Sequence, residues 1–143
     1  MAEEPAVLVD RADHIVTITL NRPENRNSMT PDVLGGFIDA VDSVKGDRSV
    51  RCVVITGKGK SFSAGADFKS GTPGVRDADP PNERSMNAYR PFLPVRGIEC
   101  PVIGALNGHA IGGGLGLALV CDMRVANQDA KYGANFTRLG LHP

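Results

Sequence analysis

Residues Asn107–Asp122 read NGHAIGGGLGLALVCD, with four glycines in five positions (112, 113, 114 and 116) and an apolar run that continues to Cys121. Glycine loses more backbone freedom on folding than any other residue, so such a cluster marks a place where main chain must approach something closely. The stretch before it, PVIGAL (101–106), is short and apolar and reads as a buried strand. The stretch after it reads as an apolar helix whose first turn is built from glycine. Gly116 lies inside that helix, where it costs about 1 kcal/mol of helix propensity relative to alanine.

Working outward, HIVTITL (14–20) is β-branched and reads as a strand, preceded by a shorter one at Ala6–Val9. Thr30 is placed to cap a helix that has Pro31 at its first position. Val33, Leu34, Phe37, Ile38, Val41 and Val44 give that helix an apolar face, and Gly35 and Gly36 make it depend on packing. RCVVITG (51–57) and MRVAN (123–127) read as further strands. TPGVRDADPPNERS (72–85) reads as a mobile surface loop, and Asn87–Leu93 as a short helix interrupted by Pro91 and Pro94. Strands alternating with helices predict βαβ units and a buried, largely parallel sheet.

A length of 143 residues suits one domain, 1–143, with 41% hydrophobic and 22% charged residues. A formal net charge of +0 gives no basic excess to draw nucleic acid or an anionic membrane. No apolar run is long enough to span a bilayer, and the acidic start MAEEPAVLVD does not read as a signal peptide. Cys52, Cys100 and Cys121 have neither metal-like nor paired spacing. They read as reduced core thiols of a cytoplasmic protein, and no metal site is expected.

Two glycine-rich segments invite nucleotide readings, and both fail. GKGKS (57–61) needs a glycine at position 54 to be a phosphate loop, and that residue is Val54; Lys58 and Lys60 read as a solvated turn. In GGGLGL (112–117) the third glycine of a dinucleotide fingerprint falls on Leu117, or on Leu119 when the count starts at Gly114. What the two segments share is more informative. SAGAD (63–67) and GGGLGL each follow a short apolar strand with small residues. Two such loops on neighbouring strands can aim two N–H groups at one oxygen, aided by the dipole of the helix that the second loop opens. Glycines serving only close helix–sheet packing explain the spacing equally well.

Four separated motifs, ITLNRPENRNSM (18–29), VVITGKGKSFSAGADFK (53–69), PVIGALNGHAIGGGLGLALVCDMRVA (101–126) and KYGANFTRLGLHP (131–143), resemble the crotonase, or enoyl-CoA hydratase/isomerase, family in order and in kind. The resemblance implies an α/β fold, a ββα spiral of the ClpP/crotonase type, here incomplete at its C-terminus. It implies acyl-CoA thioester substrates with no prosthetic group, a place in fatty-acid or related acyl-CoA metabolism, and a homotrimer or hexamer. It maps the two N–H donors to the thioester oxygen onto Ala66 and Gly113. It maps coenzyme A binding onto Arg26, Ala64, Gly65, Asp67, Phe68 and Gly112. From the residues alone, Arg26 suits either a phosphate contact or an exposed turn, and Asp67 either an adenine contact or a helix cap. The family continues past segment 141–143 with helices that cover the acyl group and build the trimer.

The resemblance breaks at the proton-transfer groups. Hydration of an α,β-double bond uses two carboxylates around one water, and the family's two positions fall here on Gly116 and Phe136. No Asp or Glu occurs in 112–121 or in 131–143, so a shift of alignment supplies none. Among other candidates, His109 reads as a hydrogen-bonded structural residue and Asp122 with Arg124 as a structural pair. Arg138 and His142 lie beside the second lost position, and Asp79 and Glu83 sit in the surface loop. The expectation is an acyl-CoA enzyme that keeps the oxyanion donors and lacks the hydratase carboxylates. Its alternative is a non-catalytic thioester-binding or assembly paralogue.

Overall fold

The computed structural model describes residues 4–67 and 79–140. Its strands and helices are β1 (Val7–Ala12), β2 (Ile15–Leu20), α1 (Pro31–Asp42), β3 (Cys52–Gly57), β4 (Ser61–Ser63), α2 (Pro81–Tyr89), β5 (Val102–Leu106), β6 (His109–Ile111), α3 (Gly113–Val120), β7 (Met123–Ala126) and β8 (Tyr132–Gly133). They build a five-stranded sheet ordered β1-β2-β3-β5-β7 and a three-stranded sheet ordered β4-β6-β8. Among the described residues, β1 and β2 alone pair antiparallel; the other pairs in both sheets are parallel. The chain therefore steps from the large sheet to the small sheet and then to a helix: β3, β4, α2, and again β5, β6, α3. β7 and β8 repeat the strand–strand part of that step. This is the ββα spiral.

Burial alternates along the central strands, with Val16, Ile18 and Leu20 inward on β2, Val53 and Ile55 on β3, and Val102 and Leu106 on β5. These residues, with Val33, Leu34, Phe37 and Val41 of α1, form one core that also takes in Phe62 of β4, Ala110 of β6 and Leu117 of α3. Phe37 meets Phe92 edge to face with ring centroids 6.5 Å apart. One core beneath both sheets fixes the small sheet's loops to the large one.

Several boundaries differ from the sequence reading. β1 runs to Ala12, beyond the expected Ala6–Val9, because its polar half, Asp10–Arg11, pairs with β2 while facing outward. His14 belongs to the turn before β2. Thr30 and Pro31 do start α1, but the Thr30 hydroxyl donates to Asp32 and does not accept from a backbone N–H. The segment expected to be loop through Ser85 becomes helical at Pro81, since proline fits the first turn of a helix. The expected helix Asn87–Leu93 is thus the end of α2 followed by a 3-10 segment, Arg90–Gly97. Residues 72–78 of the expected loop lie outside the described residues. Only Cys121 is a core thiol, pushed up to about 11 by burial; Cys52 and Cys100 are half-buried, and all three are free.

Candidate active site

Two loops meet at the head of α3, and each is fixed by hydrogen bonds the sequence dictates. Asn27 is fully buried, at 0% exposure. Its amide donates to the carbonyls of Lys58 and Ser61 and its Oδ1 accepts from the Arg22 N–H. The Ser63 hydroxyl donates to the Asn27 carbonyl, 2.8 Å, and accepts from the Gly65 N–H, 3.2 Å. The Ala64 N–H donates to the Arg26 carbonyl and the Met29 N–H to the Gly65 carbonyl, both at 2.9 Å. The segments ENRNSM and SAGAD are thereby joined into one unit.

The second loop leaves β6 through Gly112, whose N–H donates to the Gly133 carbonyl at 2.8 Å, and enters α3 at Gly113. The two loops touch backbone to backbone. A Cβ on Gly65 would lie 2.5 Å from the Ile111 carbonyl oxygen and 3.0 Å from the Gly113 nitrogen, at a φ of +83° that side chains rarely adopt. A Cβ on Gly114 would lie 2.2 Å from the Ser63 carbonyl oxygen. Both glycines are therefore required by the approach itself.

Beside this contact opens a cavity of about 400 Å³ whose wall includes Ala64, Ala66, Gly112, Gly113, Phe136 and Arg138. Among the described residues, neither the Ala66 nor the Gly113 N–H donates to a protein acceptor. The structure thus brings Ala64, Ala66, Gly112 and Gly113 to one cavity, with Gly65 buried behind them and Asp67 half-buried next in the chain. Arg26 has an exposed side chain and sits at φ 59°, ending a short 3-10 turn. Phe68 and His142 lie outside the described residues.

The two positions without carboxylates converge on one side chain, Tyr89, that the sequence reading did not single out. A Cβ on Gly116 would lie 2.9 Å from Tyr89 Cε1. The Phe136 ring stands edge to face with the Tyr89 ring, centroids 6.4 Å apart at 80°. Burial raises the Tyr89 phenol above its ordinary value, so the ring is neutral near pH 7. Asn27 and Ser63 were also missed. A polar pair flanking a loop is a weak linear signal, and no spacing along the chain connects residue 89 with residues 116 and 136.

The other candidates have structural partners. His109 Nδ1 is 2.9 Å from the Lys131 N–H, which donates to it. Asp122 and Arg124 do not pair with each other, contrary to the expectation. Asp122 accepts from the Val102 N–H at 2.8 Å, while Arg124 donates to the Ala118 and Cys121 carbonyls, tying the end of α3 to β7. Lys58 pairs with Glu4 at 3.5 Å on the surface. Arg138 reaches the cavity wall, whereas Glu83 is exposed in the first turn of α2. Among the described residues, no group of three His, Cys, Asp or Glu side chains is placed to hold a metal ion, and no helix is long and apolar enough to cross a membrane.

The family model for enoyl-CoA hydratase/isomerase matches residues 10–143. The Mycobacterium tuberculosis protein named "Probable enoyl-CoA hydratase EchA14" is 41% identical over 143 residues, all of this chain and 55% of that protein. The crotonyl-CoA hydratase of Syntrophomonas wolfei is 35% identical over 96% of this chain and 52% of its own. The crystal structure of an enoyl-CoA hydratase from Bacillus anthracis superposes with a TM-score of 0.83 at 33% identity, covering 96% of this chain and 54% of that one. The chain spans about half the length of the curated relatives it matches.

Proposed function

The chain belongs to the enoyl-CoA hydratase/isomerase family, and from that premise we propose that it binds an acyl-CoA thioester with the carbonyl oxygen between the N–H groups of Ala66 and Gly113. The observation that carries this reading is the contact of the two glycine loops. It sets two N–H groups without a described protein acceptor on one cavity, beside the N-terminus of α3. Donors fixed before the reaction stabilise negative charge as it develops on the oxygen, and loss of one such donor typically costs about 3 kcal/mol of transition-state stabilisation. The chemistry so favoured is formation of an enolate-like intermediate at the α-carbon. Coenzyme A would lie along Arg26, Ala64, Gly65, Asp67, Phe68 and Gly112, with the Arg26 guanidinium suited to a phosphate.

Neither Gly116 nor Phe136 can transfer a proton. The proposal is therefore a lyase- or isomerase-class enzyme of fatty-acid or related acyl-CoA metabolism whose acid–base group is not at the family's two carboxylate positions. The packing of Tyr89 over Gly116 favours a second reading, a thioester-binding paralogue without turnover, because that side-chain space is filled by a neutral ring. We extend the proposal to a homotrimeric or hexameric assembly on the family resemblance, and to the cytoplasm, where the three free thiols fit a reducing compartment.

The test compares a panel of acyl-CoA thioesters, crotonyl-CoA among them, with the thioether S-butyl-CoA, which has no carbonyl oxygen. Two hydrogen bonds of ordinary strength predict that the thioesters bind about tenfold tighter. Equal affinity for the thioether sinks the carbonyl contact. Tight binding with no product from any thioester selects the second reading.

A further inference from the structure

The mutual fit of Gly116, Tyr89 and Phe136 has a consequence for what the cavity accepts. At Gly116 the direction a side chain would take is occupied by the Tyr89 ring, whose Cε1 and Cδ1 lie 2.9 and 3.4 Å from an added Cβ. The absent side chain and the ring are complementary, one filling the space of the other. Tyr89 is held from behind by Phe92, edge to face at 6.3 Å, and Phe92 by Phe37 at 6.5 Å; Phe92 and Phe37 are only 2% and 1% exposed. Four aromatic rings thus run from the core to the cavity, and the last of them is Phe136. That ring lines the cavity and rests on the glycine loop, with its Cε1 3.8 Å from where a Cβ on Gly112 would lie. A group attached to a carbonyl carbon at Gly113 would therefore lie in a cavity that the Phe136 ring lines.

We propose that Tyr89 is a positioning residue that fills the side-chain space of Gly116 and braces Phe136, so that the acyl end of the cavity is an aromatic wall selective for acyl groups bearing an aryl ring. The inference rests on the acyl-CoA reading above and names the substrate class of that site. Aromatic rings in edge-to-face or offset contact gain free energy beyond the area they bury, a gain an alkyl chain does not share, and a braced ring offers that geometry without further ordering. Space is sufficient: an apolar cavity of about 150 Å³ already admits benzene, and this one is about 400 Å³. Ile111 and Leu139 add to the apolar lining, and Arg138 on the same wall, beside Asn135, supplies a cation suited to the face of a bound ring.

Affinities of 3-phenylpropionyl-CoA, hexanoyl-CoA and free CoA, measured by titration calorimetry on the protein and its variants, test the wall. Both thioesters lack the double bond, so hydration does not intervene. The aryl thioester is expected to bind roughly fivefold tighter than the alkyl one, from one favourable ring–ring contact. That ratio should survive Tyr89→Phe, which keeps the ring, and fall to about one in Tyr89→Ala and, should that variant not fold, in Phe136→Leu. A ratio near one in the native protein overturns the proposal, as does its loss in Tyr89→Phe or its persistence in Tyr89→Ala or in Phe136→Leu. Equal affinity of the two thioesters, with both tighter than free CoA, removes the wall and leaves the acyl-CoA reading standing. No binding of any of the three removes that reading itself.

Discussion

Gly114 lies so close to Ser63 that a methyl group there would meet the carbonyl oxygen at 2.2 Å, inside any real contact distance. The obstacle is backbone, which has no rotamer by which to yield. Gly114→Ala is therefore expected to lose about 1–3 kcal/mol of stability by overpacking, despite alanine's better helix propensity. Chemical denaturation checks this; a neutral or stabilising result would mean the two loops are further apart than described. Gly116, two residues on, differs in kind. Its added Cβ meets a side-chain ring rather than main chain, so its smallness matches a neighbour and is not forced by the fold. The four glycines of one short stretch thus serve different ends: Gly112 holds a φ of +55°, Gly113 leaves room for the Met29 sulfur, Gly114 lets two backbones touch, and Gly116 makes room for an aromatic ring.

At the scale of elements, the site depends on a joint between the loop after β2 and the turn from β3 to β4, and Asn27 is that joint. It satisfies one N–H and two carbonyls from a fully buried position. Asn27→Ala leaves those groups without partners and is expected to cost about 2–4 kcal/mol, seen as a lowered denaturation midpoint. A change below half a kcal/mol would contradict the joint. Much of this architecture was legible beforehand. β2 and β3 announce themselves by β-branched residues, β5 by a short apolar run, and α1 by Thr30–Pro31 and its apolar stripe. β4, β6 and β8 were not legible, because two or three residues carry no periodicity and their pairing is decided by distant chain. α2 was partly hidden by Pro80–Pro81, which reads as loop from sequence and as a helix start once packed. At the site, the glycine loops were visible, and the placing of the family's two carboxylate positions on Gly116 and Phe136 came from the resemblance alone. Tyr89 was not visible, since only the fold brings residue 89 to residues 116 and 136.

For the whole molecule, one core shared by both sheets couples the site to global stability, and pH acts on that stability through surface carboxylates. Asp32 is held below its ordinary value of 3.8 chiefly by the Thr30 hydroxyl, and Asp47 below the same value chiefly by the Ser49 hydroxyl. Because the folded values are depressed, the contribution is present above about pH 4 and is lost as pH falls through the folded values. Thr30→Val is accordingly expected to lower the thermal midpoint at neutral pH and to converge with the native protein as pH falls through the folded value of Asp32. A constant difference across that range would show that the hydroxyl acts independently of the Asp32 charge. The larger claim is that a spiral of ββα turns holds two unspent N–H groups against a thioester carbonyl, whichever residue moves the proton. Infrared difference spectroscopy of a bound acyl-CoA labelled with ¹³C at the thioester carbonyl reads that contact directly. Two donors at the oxygen weaken the C=O bond, so the labelled band should move to lower frequency on binding and return part of the way in Gly113→Pro, which removes one donor. A bound thioester whose carbonyl band stays at its position in water, or above it, would contradict the account.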